Sequence, residues 1–130
     1  MILPTTLCLA AAAAMINLWL SMRIGNLRVK GKILYGDGGD EMLLRRMRAH
    51  ANFVENTPLV LILIGAVEVA GKGGAWLAVV GAVYMLARLA HAVGMDGGFV
   101  HRLRSAGALV TMLVQLVLAV VAVLIALGRF

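Results

Sequence analysis

Cysteine, aromatic residues and charged residues are all scarce in this sequence. Cys8 is the only cysteine, which excludes an intrachain disulfide and any CxxC metal or redox motif, so no metal site is expected. Aromatic residues make up 5% of the chain and do not alternate with basic residues, so no nucleic-acid partner is predicted. With only 14% charged residues, a globule of 130 residues would lack the polar surface that water requires.

Hydrophobic residues are abundant instead, at 62% of the chain with a mean hydropathy of +0.97. They form four apolar stretches, each close to the roughly 20 residues that a helix needs to cross the hydrocarbon core. A helical pattern extends the second stretch back to Glu41. The sequence therefore predicts an all-α membrane protein, a four-transmembrane-helix bundle in a single domain over residues 1–130, with spans at approximately 2–22, 41–70, 75–95 and 105–127.

The formal net charge of +6 comes from basic residues that gather in two of the connections between spans. The first connection and its flanks hold Arg23, Arg28, Lys30, Lys32, Arg45, Arg46 and Arg48, and the third holds His101, Arg102 and Arg104. Basic connections remain on the cytoplasmic side of a membrane, so both termini are predicted on the non-cytoplasmic side. No Lys or Arg precedes the first apolar stretch, which predicts a retained first span rather than a cleaved signal peptide.

Polar side chains within the spans are the candidates for function, because each ionisable group in hydrocarbon costs at least about 2.5 kcal/mol. Spacings of three and four residues place two sets of them on single helical faces. The second span carries Arg45, Arg48, Asn52 and Glu55, and the third carries Tyr84, Arg88, His91 and Met95. We expect Glu55 and Arg88 to form an ion pair between the two helices, to bind a ligand, or both.

Other polar residues are predicted to have structural roles. Asp40 is a suitable N-cap for the second helix, and Asn17 is expected to hydrogen-bond across helices. We expect His50 to be solvated at the membrane rim and Glu68 to reach the headgroups. Pro58 is expected to kink the second helix, because proline removes a main-chain donor.

Arg104 and Ser105 open the fourth span, where free main-chain N–H groups and the positive end of a helix dipole attract anions. A nearby guanidinium also lowers the pKa of a thiol and so increases its thiolate fraction at neutral pH. This position is therefore a candidate thiolate site. The alternative is that Arg102 and Arg104 only anchor the helix at the cytoplasmic surface.

The second span also carries a motif that resembles the signature of the MAPEG superfamily, the membrane-associated proteins in eicosanoid and glutathione metabolism. The pattern is R-A-x-x-N-x-x-E-[NY]-x-P, matched here by Arg48, Ala49, Asn52, Glu55, Asn56 and Pro58. Further similar segments are Gly25-Asn26-Leu27-Arg28-Val29-Lys30, Ala87-Arg88-Leu89-Ala90-His91 and Arg104-Ser105. The loop Tyr35-Gly36-Asp37-Gly38-Gly39 resembles that of bacterial inner-membrane members.

The resemblance implies a homotrimer of four-helix protomers in a bacterial inner membrane, with glutathione bound as co-substrate between subunits near the cytoplasmic face. The residues that it assigns to glutathione are Arg28, Arg48, Asn52, Glu55, Arg88 and His91. Arg104, assisted by Ser105, or alternatively Arg102, would stabilise the thiolate, which attacks a lipophilic electrophile from the bilayer. Met95 departs from the pattern, because family enzymes commonly have Tyr at this position.

Three functions follow from these patterns. The resemblance implies a membrane-bound glutathione transferase or glutathione-dependent peroxidase. The alternative is a non-catalytic lipid-binding or scaffold protein of the same superfamily, which Met95 favours. Small multidrug exporters also have four helices, but they use an acidic residue in the first span, and residues 2–22 contain none. Membrane lipids are partners in every case.

Overall fold

The structure is a computed structural model that describes all 130 residues and contains four long α-helices and no strand. The helices are α1 (Pro4–Gly31), α2 (Glu41–Val69), α3 (Ala75–Gly94) and α4 (His101–Ala126), and a short 3-10 turn (Gly98–Val100) leads into α4. All four are long and apolar enough to cross a membrane. The predicted all-α fold with four spanning helices is therefore confirmed.

Two of the helix boundaries follow directly from local sequence. α1 begins with a proline at its first position, where the missing N–H has no cost. α2 begins after Asp40, whose Oδ1 accepts a hydrogen bond of 3.0 Å from the main-chain N–H of Leu43, as predicted. α2 then continues through Pro58 to Val69.

α1 extends beyond residue 22, where the predicted first span ends, and continues to Gly31. Arg23 and Arg28 therefore lie on the helix and not in the connection that follows it. Arg28 and Lys30 occupy its last turn, where basic side chains are favourable next to the free carbonyl groups. We call the end of the bundle that carries residues 23–48 and 95–104 the basic end.

α3 is the most enclosed helix, and it packs most extensively against α4, while α1 packs against α2. Glycines let these helices approach closely. A Cβ on Gly81 of α3 would lie 2.2 Å from the Leu9 side chain of α1, and a Cβ on Gly107 of α4 would lie 2.4 Å from the Ala87 main-chain oxygen of α3. The α3–α4 contact at Gly107 is thus made partly by main-chain atoms.

Glu68 and His50 make contacts that were not predicted for them. The Glu68 carboxylate accepts hydrogen bonds of 2.9 Å and 2.8 Å from the main-chain N–H groups of Thr5 and Thr6, and one of 2.7 Å from the Thr6 hydroxyl. The unpaired N–H groups at the start of α1 explain this contact. His50 is not simply solvated, because its Nε2 lies 2.7 Å from Asn17 Oδ1, which confirms the predicted bond between helices by Asn17.

Candidate functional site

Arg88 is the centre of a polar cluster that joins three helices. It is only 2% exposed, and its Nη2 donates a hydrogen bond of 2.5 Å to Asn52 Oδ1 on α2. Its Nη1 donates one of 2.9 Å to the Thr111 hydroxyl on α4, which in turn donates to the Gly107 carbonyl at 2.8 Å. His91 Nδ1 lies 3.5 Å from Arg88 Nη2. We call Asn52, Arg88, His91 and Thr111 the Arg88 cluster.

The Arg88 cluster contains no carboxylate, so the predicted ion pair between Glu55 and Arg88 is wrong. Glu55 is exposed and takes part in no ion pair. It follows Asn52 by three residues and is therefore rotated by about 60° from it around the helix, which turns it outward while Asn52 faces α3. Arg88 Nε is buried without a hydrogen-bond partner. The protein thus buries a positive charge with neutral partners only.

A second row of hydrogen bonds holds the cluster on its α2 side. Asn56 Nδ2 donates a bond of 2.7 Å to the Asn52 main-chain oxygen, and Gln115 Nε2 of α4 donates one of 2.9 Å to Asn56 Oδ1. The hydroxyls of Thr57 and Tyr84 lie 3.0 Å apart between α2 and α3. Sequence reasoning missed the bond between Asn56 and Gln115, although an amide inside an apolar helix is itself a signal.

A cleft of about 510 Å³ opens at the basic end, one helical turn from the Arg88 cluster along α3. It lies where α2, the connection between α3 and α4, and the start of α4 meet. We call it the basic cleft, and its lining residues are Arg45, Gly94, Met95, Gly97, Gly98, His101 and Arg104. No carboxylate lines it, and Arg104 forms no ion pair. Because Arg45 pairs with Glu41, the uncompensated positive charge that the cleft offers to an anion is that of Arg104.

The start of α4 differs from the prediction. The helix begins at His101, not at Ser105, because the chain turns into it directly from the 3-10 turn Gly98–Val100. Arg104 therefore lies within the first turn, where the free N–H groups are, and Ser105 lies just beyond it. Arg102 and Arg104 are two residues apart and point to different sides of the helix. Of the two, only Arg104 lines the basic cleft.

The comparison with family models matches residues 6–124 to the MAPEG family. The chain belongs to the MAPEG family. It is similar to the inner membrane protein YecN of Escherichia coli strain K12, at 32% identity over 94 residues that cover 72% of this chain and 69% of that protein. YecN of Escherichia coli O6:H1 strain CFT073 matches with the same identity and coverage. This MAPEG protein, with its four spanning helices, is a multi-pass protein of the bacterial inner membrane.

The motif residues of this MAPEG protein fall into three groups in the structure. Asn52, Arg88 and His91 are brought together in the Arg88 cluster. Arg104 lines the basic cleft beside Met95, which follows His91 by one helical turn. The remaining residues lie apart from both, and these are Arg28, Arg48, Glu55, Arg102 and Ser105.

Arg28 differs from the other four residues of this third group. Arg28 donates a hydrogen bond of 2.7 Å to the Gly36 carbonyl and lies 3.5 Å from Met47 Sδ, so it holds the first connection against α2. Arg48, Glu55, Arg102 and Ser105 are exposed on the surface of the protomer. A single protomer therefore does not bring all of the predicted site residues together.

Proposed function

We propose that this MAPEG protein is a membrane-bound glutathione transferase or glutathione-dependent peroxidase. The observation that carries the proposal is the burial of Arg88 without a carboxylate partner. An uncompensated buried charge costs several kcal/mol, so an arginine retained in this setting is best explained by an anion that joins it. Glutathione supplies two carboxylates and, when ionised, a thiolate.

In this proposal different motif residues bind different functional groups of glutathione. Arginines bind its carboxylates with charge-assisted hydrogen bonds, and Glu55 binds its amine. Asn52 and His91 orient the peptide beside them. Arg104, with Ser105 next to it, stabilises the thiolate in the basic cleft. The arginines assigned to the carboxylates are Arg28, Arg48 and Arg88.

The bound thiolate is the nucleophile for a lipophilic electrophile that enters from the bilayer. In a transferase reaction its sulfur forms a bond to the electrophilic carbon, and the leaving group departs with the bonding electrons. In a peroxidase reaction the sulfur attacks a hydroperoxide oxygen, which yields a sulfenic acid and an alcohol, and a second glutathione then gives the disulfide and water. Holding both reactants in one site contributes the proximity effect.

We further propose that the site is completed in a homotrimer with glutathione between subunits. Glu55 is exposed on α2, a helix long and apolar enough to span the membrane, and contact with lipid there would be costly. Arg48 and Arg102 are exposed as well, so a neighbouring protomer can supply what one protomer lacks. The positive charge of the basic end supports a cytoplasmic location for it, with both termini on the other side.

Isothermal titration of the detergent-purified protein with glutathione tests the proposal. Wild-type protein is expected to bind, and Arg88→Met is expected to lose binding because the buried cation is gone. Lys30→Gln is the matched control, since it removes an exposed cation from the basic end. Conjugation of an aryl halide is expected to be lost in Arg104→Ala. A wild-type protein that neither binds glutathione nor conjugates any of several electrophiles refutes the function.

The alternative function is a non-catalytic lipid-binding or scaffold protein. Met95 in the basic cleft favours it, because the resemblance leads us to expect a tyrosine there. An apolar groove of about 500 Å³ between α2 and α4 also favours it, lined by Leu59, Ile62, Leu63, Met112, Gln115, Leu116 and Ala119. Purified protein that binds fatty acids and ignores glutathione would select this function.

A further inference from the structure

Asp96 ties the connection between α3 and α4 to the rest of the bundle. Its carboxylate accepts hydrogen bonds from Arg23 on α1 and from Arg46 on α2, whose Nε lies 3.3 Å from Oδ1 and whose Nη2 lies 3.5 Å from Oδ2. Its main-chain oxygen accepts a bond of 3.3 Å from Arg45 Nη1. We call Arg23, Arg45, Arg46 and Asp96 the arginine clamp. A single acidic residue thus joins α1, α2 and the connection.

The clamp is partly buried, so losing its carboxylate would leave arginine charges with little solvent to screen them. The side chains of Arg23, Arg46 and Asp96 are 10%, 24% and 29% exposed. Arg46 Nη1 also lies 3.5 Å from the Arg23 main-chain oxygen, and the Arg23 guanidinium stacks over the Trp19 ring. Without Asp96, two like charges would face each other with little water between them and would move apart.

The residues after Asp96 have little conformational preference of their own. Gly97 and Gly98 have φ angles of 86° and 67°, in the left-handed region that glycine enters without strain. A Cβ on Gly97 would lie 2.4 Å from Arg45 Nη1, so the chain passes directly over that guanidinium. The side-chain contacts of the clamp therefore add to the main-chain hydrogen bond of 3.2 Å from the Gly97 N–H to the Gly94 carbonyl in fixing this segment.

The same segment forms one wall of the basic cleft and leads into the turn that carries Arg104. Arg104 has no ion pair of its own, so its guanidinium is placed by its main chain, which packs against Gly94 of α3 and continues from the segment that the clamp holds. We propose that Asp96 is a positioning residue that, through the arginine clamp, holds Arg104 where it stabilises an anion in the basic cleft. The identity of that anion as a glutathione thiolate rests on the proposed function, but the positioning itself does not.

Three variants of the full-length protein in detergent test the inference. Asp96→Asn removes the charge, Asp96→Glu retains it, and Glu41→Gln is the matched control. Glu41 also pairs with a clamp arginine, Arg45, but it is 76% exposed and lies on the same helix. The measurements are amide hydrogen exchange, the kinetics of aryl halide conjugation, and the ultraviolet absorbance of bound thiolate as a function of pH.

Asp96→Asn is expected to accelerate exchange about tenfold in residues 97–104 and to leave the centre of α3 unchanged. It is expected to lower kcat about tenfold, with KM for glutathione changed by less than about twofold, because Arg104 acts on the thiolate and not on the carboxylates. The pH at which bound glutathione ionises should rise by about one unit. Asp96→Glu and Glu41→Gln are expected to behave as the wild type.

Two results would overturn the inference. One is unchanged exchange in residues 97–104 of Asp96→Asn. The other is a parallel loss of thermal stability, kcat and glutathione binding that Asp96→Glu does not restore, which would reduce Asp96 to a structural role. If the wild type neither binds nor uses glutathione, the proposed function fails, and hydrogen exchange alone still decides whether the clamp positions Arg104.

Discussion

Replacing Gly107 with Ala tests how closely α3 and α4 must pack. A Cβ on Gly107 would lie 2.4 Å from the Ala87 main-chain oxygen and 2.7 Å from the His91 main-chain nitrogen. Both are main-chain atoms of α3, so no side-chain rotation relieves the overlap, and the helices must separate by about 1 Å to reach van der Waals contact. The bond of 2.9 Å between Arg88 and Thr111 would then exceed hydrogen-bonding distance.

The expected loss of stability combines three effects. Alanine gains about 1 kcal/mol over glycine in helix propensity. Overpacking costs about 1–3 kcal/mol, and loss of a hydrogen bond to a charged group costs about 1.5–3 kcal/mol. The free energy of unfolding should therefore fall by about 3 kcal/mol. For a chain of this length the unfolding temperature should fall by about 10 °C.

Thermal unfolding of the detergent-purified protein, followed by circular dichroism, measures this change. Gly65→Ala is the matched control, because a Cβ there would meet only the Thr6 side chain of α1, at 3.6 Å and 3.7 Å. Its unfolding temperature is expected to stay at or slightly above that of the wild type. The reasoning is refuted if Gly107→Ala unfolds at or above the wild-type temperature, or if the two alanine variants lose stability equally.

Two further substitutions test contacts at opposite ends of the bundle. Glu68→Gln is expected to lower the unfolding temperature, because a neutral amide is a weaker acceptor for the N–H groups of Thr5 and Thr6; an unchanged unfolding temperature would contradict this. Gly94→Ala would place a Cβ 2.1 Å from the Arg104 main-chain nitrogen. It is expected to lower the rate of aryl halide conjugation about tenfold by displacing the start of α4 and with it Arg104, and an unchanged rate would contradict a role for this turn in stabilising the thiolate.

Features that depend on neighbouring residues could be predicted from the sequence. The four spans follow from apolar stretches of membrane length, because the stability of a helix in lipid depends on its own composition and not on tertiary contacts. The cap by Asp40 follows from its place before a helical pattern. The arginine, asparagine and acidic residue of the second span identified the family, because such residues are rare in an apolar helix.

Features that depend on how the helices rotate against one another could not be predicted in the same way. Spacing places Asn52 and Glu55 on one broad face of α2, but only the packed bundle shows that Asn52 meets Arg88 while Glu55 faces outward. Asp96 and Glu68 bind groups that lie on other helices and at least 50 residues away in the chain. No local pattern indicates such partners.

The carboxylate of Glu68 also has a consequence for how the protein is made. The first residues of α1 have main-chain N–H groups that no carbonyl of the same helix can accept. Their acceptor is supplied from the last turn of α2. During synthesis these N–H groups of α1 therefore lack the Glu68 acceptor at first. The contact between the start of α1 and the end of α2 can form only after translation has passed Glu68.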